Sequence, residues 1–202
     1  MSIVKLNNRG VKDATAFGSI TGLGSMVFLS KQTASSSSTI SFTSGIDSTY
    51  KEYLFTFNNI HPATDNTGFM FNMSIDSGSN YNVTKTTTNF RAFNDEGSGD
   101  GVVRYETTSD LAQSTAFQDM TREDSGNDND ECIAGYLHLF NPSSTTFVKH
   151  FIATTNSTHE ADYSHQNFVA GYGNTTSAVD AIQFKMSSGN IDAGDICLYG
   201  IN

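Results

Sequence analysis

The side chains able to do chemistry gather in loops. The run Asp124-Ser125-Gly126-Asn127-Asp128-Asn129-Asp130-Glu131 concentrates hard oxygen donors of the kind calcium takes. It lacks the EF-hand order of alternating ligands around a turn glycine, and an acidic Gly/Asn loop serves equally well as a solvated turn. Five histidines occur, His61, His138, His150, His159 and His165. His159 and His165 stand near Glu160 and Asp162, but without the paired spacing that a tetrahedral zinc site uses. Serine is abundant, yet none lies in a Gly-x-Ser-x-Gly elbow. Cys132 and Cys197 have no activating neighbours. The carboxylate pairs Asp95/Glu96 and Glu123/Asp124 lie in Gly-rich loops with little to bury them, so raised pKa values for acid catalysis are not expected. Gly22-Leu23-Gly24 precedes a strand and not a helix, which removes the dinucleotide reading. These residues predict no enzyme, no cofactor and no metal ligands. What remains is recognition. Tyr163, His165 and Tyr172 are a candidate platform for a sugar, with ordinary strand aromatics as the competing reading.

Composition narrows the partners. The chain has 202 residues, a formal charge of −10 and a pI near 4.7. A phosphate backbone would be repelled, and no Lys/Arg patch offsets this, so no nucleic-acid partner is expected. Charged residues are only 16% of the chain, so Ser, Thr and Asn must solvate the surface. No stretch approaches the run of about 18 apolar residues needed to cross a membrane, and residues 2–29 do not read as a signal peptide. The two cysteines are read as buried small hydrophobes, with a single bridge left open.

The elements follow from period-2 alternation. Tyr53, Phe55 and Phe57 share one face of a strand over Tyr53–Ile60, and Thr56 and Asn58 share the other. Further strands are predicted at 26–33, 38–43, 68–76 (Phe69, Phe71, Met73 and Ile75 inward), 81–93 and 101–107. Others follow at 132–140, 146–155, 167–172, 181–187 and 194–201. A short helix over Ser109–Met120, capped by Ser109 or Asp110, is the one helical candidate. Strands at this spacing predict an all-β, two-sheet antiparallel sandwich of jelly-roll kind over residues 26–202. Residues 1–25 lack periodicity and carry spaced apolar anchors, Ile3, Val4, Leu6, Val11, Phe17 and Ile20. They read as an N-terminal arm, extended or bound to a partner.

Four segments, 45–66 (GIDSTYKEYLFTFNNIHPATDN), 76–93 (DSGSNYNVTKTTTNFRAF), 137–156 (LHLFNPSSTTFVKHFIATTN) and 182–201 (IQFKMSSGNIDAGDICLYGI), resemble, in this order, virion-associated proteins of tailed bacteriophages, notably those of marine bacteria. The resemblance implies a non-enzymatic particle component and supplies no catalytic residues. Two roles follow. One is a capsid decoration or head-appendage subunit anchored through its arm. The alternative is a tail-fibre or spike module that binds a host-surface glycan or protein. The expected location is the virion, assembled in the host cytoplasm. The expected partners are a major capsid protein or a tail or portal component, and other copies of the chain in a homo-oligomer, with a trimer as the first expectation.

Overall fold

The computed structural model describes residues 26–97, 99, 101–122 and 124–202. The arm anchors Ile3, Val4, Leu6, Val11, Phe17 and Ile20 lie outside the described residues. Twelve strands form two antiparallel sheets, and no helix occurs among the described residues. In chain order they are β1 (Met26–Thr33), β2 (Ile40–Phe42), β3 (Glu52–Pro62), β4 (Phe69–Ser74), β5 (Lys85–Asp95) and β6 (Gly101–Tyr105). The second half holds β7 (Gln118–Asp119), β8 (Ile133–Phe140), β9 (Lys149–His159), β10 (Tyr163–Gly173), β11 (Ala181–Met186) and β12 (Ile191–Ile201).

The pairing is nested. β1 pairs with β12, β2 with β11, β3 with β8, and β4 with β7. A long hairpin rolled on itself gives this order, and it is the jelly roll expected from the strand spacing. Two strand pairs are inserted into that frame: β5 and β6 between β4 and β7, and β9 and β10 between β8 and β11. They add to the β8 edge, so that one sheet runs β1-β12-β3-β8-β9-β10-β5-β6 and the other runs β2-β11-β4-β7.

Alternation explains the core. Tyr53, Phe55, Phe57 and Ile60 turn inward from β3 and are fully buried. Phe69 and Phe71 of β4 and Phe184 of β11 meet them from the smaller sheet. Ring centroids lie 5.1 Å apart for Phe57–Phe69 and 5.3 Å for Phe57–Phe184, both edge to face. That geometry is the favoured one for aromatic pairs and adds to the burial itself. The Tyr53 hydroxyl donates to the Asp47 carbonyl at 3.0 Å, so its one polar atom is satisfied.

Two expectations are corrected here. Residues 109–120 form no helix. Their backbone groups are used elsewhere: Lys85 N–H donates to Ser114 O at 2.8 Å, Ser114 N–H returns to Lys85 O at 3.0 Å, and Thr87 N–H donates to Leu111 O at 2.9 Å. The segment thus covers the first residues of β5, where β6 does not reach, and bonding across to a strand excludes bonding along a helix. Ile75 is not inward. β4 ends at Ser74, whose Oγ bonds to the Asp76 carboxylate at 2.7 Å and opens a turn, leaving Ile75 exposed.

The inserted strands have a different interior. Thr87, Asn89 and Arg91 of β5, Thr155 and Ser157 of β9, and His165 and Asn167 of β10 all face inward and are buried. They lie beyond the reach of the four-stranded sheet's aromatics. The connection from β6 to β8 crosses over them: Thr87 Oγ1 meets Gln118 Oε1 at 2.6 Å, and Thr155 Oγ1 donates to Met120 O at 2.5 Å.

Candidate functional site

The densest chemistry sits in this polar interior. Arg91 is on β5, where alternation points it inward between Asn89 and Phe93. Its Nε donates to Glu106 at 2.7 Å and its Nη1 to Asp124 at 2.9 Å. Arg122 makes a second clamp on both acids: its Nε is 2.9 Å from Glu106, and its Nη1 contacts the same Asp124 oxygen. Arg104 reaches Glu106 at 3.7 Å from the outside. Arg91, Arg104 and Arg122, the arginines among the described residues, thus converge on two carboxylates. Burial alone would lower the Arg122 pKa, but Asp124 and Glu106 outweigh it and raise the value. The charge stays on the guanidinium, and the cluster is held by charge-assisted bonds.

Two histidines flank it. Ala161 N–H donates to His159 Nδ1 at 2.9 Å, which leaves the proton on Nε2, directed toward Asp124 at 3.7 Å. His165 is buried, and Arg91 Nη1 lies 3.0 Å from its Nδ1. Burial first, then the positive charge of Arg91, pushes the His165 pKa down to about 3. The ring is therefore neutral and accepts from the guanidinium. A cleft of about 380 Å³ beside these rings is lined by Arg91, Phe93, His159, Ala161, Tyr163 and His165.

Donor atoms of Asp124, His159 and His165 all lie within 4.8 Å of one another. Two imidazoles and one carboxylate are a common donor set for a divalent metal. The surroundings do not fit one here. Arg91 Nη1 already bridges Asp124 and His165, and Arg122 takes the same carboxylate oxygen. A cation entering would meet two fixed positive charges and lose its only anionic ligand to them. The set reads as a structural ion cluster, which ties the β6–β8 connection to the inserted strands.

Within the run from Asp124 to Glu131, Asp128 and Asp130 are exposed and Glu131 is buried. Glu131 folds back to accept from Asp128 N–H at 2.6 Å, and burial pushes its pKa up, with Asp128, Asp65 and Asp130 adding to the rise. Two lysines are buried as well. Lys85 Nζ donates to Asn72 Oδ1 at 2.5 Å and Val83 O at 2.9 Å, and burial lowers its pKa to about 7. Lys149 Nζ donates to the carbonyls of Phe147 and Thr175, and burial lowers its pKa too. Neither amine touches an electrophile-binding cleft, and each closes off orphan acceptors.

The proposed sugar platform is brought together only in part. Tyr163 and His165 share the inward face of β10, with ring centroids 6.1 Å apart. Tyr172 is at the other end of β10, facing outward, where its ring meets His150 at 5.9 Å. The three do not form one surface. The partners that define the His165 environment, Arg91, Glu106, Arg122 and Asp124, carry no local sequence signal. They come from one strand and one long connection, and only the fold unites them. Both cysteines are free, with Cys132 just ahead of β8 and Cys197 in β12. No protein-family model, curated protein or solved structure matches the chain.

Proposed function

We propose that the chain is a non-enzymatic structural protein of a tailed-phage virion, a capsid decoration or head-appendage subunit anchored through residues 1–25. The observation that carries this reading is the nested strand pairing. Jelly rolls of this pairing are a recurrent solution for shell proteins and for lectins, so the argument is one of architecture and not of a site. Two further features support it. The guanidinium and carboxylate groups of the buried ion cluster are committed to one another in salt bridges. Among the described residues β1 is an edge strand paired with β12 alone, a position from which an arm of residues 1–25 would extend without displacing the core. Homo-oligomers and a capsid, tail or portal partner belong to the same reading.

Mass spectrometry and side-chain-resolution imaging of purified particles of the phage encoding this chain test the proposal. Many copies on the head are expected. Absence from tail-less capsids would remove the decoration role. Saturable binding of the isolated protein to host-surface glycans would put the fibre or spike alternative ahead.

A further inference from the structure

Between β8 and β6 the outer face of the large sheet carries no charged residue on its strands, and carboxylates touch it only at its two margins, Glu52 beside His138 at 3.0 Å and Asp110 accepting from the Tyr105 hydroxyl at 2.6 Å. The outward positions are Ala134, Tyr136, His138 and Phe140 of β8, then alternate residues of β9, β10, β5 and β6. Not one is Asp, Glu, Lys or Arg. In a chain of net charge −10, such a patch is a marked departure. It is also apolar at its centre. Phe90 and Phe168 stack at 4.8 Å, and Tyr105 stands beside Phe90 in register. Phe90, Val103, Tyr105, Tyr136 and Ile152 are exposed. A groove of about 500 Å³ runs through the patch between Phe140, Ile152 and Tyr172.

We infer that this face is an interface with a second copy of the same chain, packed sheet to sheet about a two-fold axis. Charge selects the partner. Two molecules of charge −10 repel wherever acidic surface meets acidic surface, and this face removes that cost for both at once. An isologous contact places the same uncharged patch on each side. Size agrees. Five strands spaced about 4.8 Å apart and about 30 Å long present about 700 Å² per partner, close to the roughly 800 Å² per partner of a stable interface. The inserted strands then have a purpose that the jelly-roll frame alone does not need: they build the docking face. This inference deepens the homo-oligomer part of the proposed function. It predicts a two-fold pair, where the sequence suggested a trimer first.

Sedimentation equilibrium of the full chain tests it, with the variants Ile152→Glu and Thr88→Glu. Both positions are exposed, so the fold is not at stake, and circular dichroism checks that. The wild type is expected to form dimers at micromolar concentration, more tightly at 0.5 M than at 0.05 M salt as the remaining repulsion is screened. Each variant places like charges face to face and is expected to weaken dimerisation at least 100-fold. A wild type that stays monomeric, or an oligomer of any size that both variants leave unchanged, would overturn the inference. So would an uncharged polysaccharide that binds the monomer and is lost in Ile152→Glu, because the face would then belong to a glycan. None of these outcomes depends on whether the chain is found in particles, so the two readings fail separately.

Discussion

Arg91 carries more of the polar interior than any other side chain, because it neutralises Glu106 and Asp124 and donates to His165. Removing one partner of a buried ion pair leaves an uncompensated charge in low dielectric, which costs about 3–5 kcal/mol. Arg91→Met is expected to lose that much in urea unfolding, and Arg91→Met combined with Glu106→Gln is expected to recover part of it. If the single variant is as stable as wild type, the cluster is not a strut. Lys85 makes a pH-dependent prediction. Its amine has a folded pKa of about 7 against an ordinary 10.5, so between these values the unfolded chain holds the proton and the folded chain does not. Stability therefore rises with pH across that window, at up to about 1.4 kcal/mol per unit, and is constant below it. Lys85→Met should show a smaller rise than wild type when both proteins are unfolded at pH 7 and pH 10, the remainder coming from Lys149, whose pKa burial also lowers. Little of this was legible in the sequence. His165 stood out there, but as a sugar contact beside Tyr172. Hydrophobicity alone would turn Phe90 inward on β5, whereas the fold points Asn89 and Arg91 inward and Phe90 out. The acids that make a buried arginine affordable come from Glu106 and Asp124, and nothing local announces them.

Elements read more clearly wherever aromatics alternate with polar residues. The strands over Met26–Thr33 and Tyr53–Ile60 follow from side-chain pattern alone, and so do those near Ala181 and Gly194. Legibility falls off where the inner face is polar. β10 begins at Tyr163, four residues before the expected 167, because His165 and Asn167 occupy inward positions that pattern reading assigns to hydrophobes. β9 runs on to His159 for the same reason, through Thr155 and Ser157. Bulges were invisible too. β12 breaks register between Ile191 and Asp195 where β3 carries Asn59 at a φ of 50°, and the two irregularities face each other. Gly194 lies at a φ of 117°, and an added Cβ would stand 2.5 Å from Asn59 O. Neither the dihedral nor the space suits an L side chain. Gly194→Ala is expected to cost about 2 kcal/mol or more, read as a lower urea midpoint with an unchanged slope.

At the scale of the whole molecule, the nested pairing sets both order of assembly and order of opening. The outermost pair, β1 with β12, joins the two ends of the described chain and so closes the longest loop, while β9 and β10 meet through a short turn. Non-local pairing of this kind folds slowly, because loop-closure entropy is lost before contacts repay it. The same geometry makes β1 the least secured strand. Among the described residues it bonds only to β12, its residues are largely exposed, and its register shifts between Phe28 and Ser30. β3, by contrast, is bonded on both sides and holds the centre of the aromatic core. Native-state hydrogen exchange should therefore rank the strands: amides of β1 exchange by local opening, and those of β3 only on global unfolding. A chain beginning at Met26 extends the argument. Every pair of the nest lies within residues 26–202, so this truncated chain is expected to keep its β-type circular dichroism and the exchange rates of β3, with any change confined to β1. If β3 instead loses protection when residues 1–25 are removed, those residues belong to the core, and an arm that anchors the subunit to a partner would no longer be tenable.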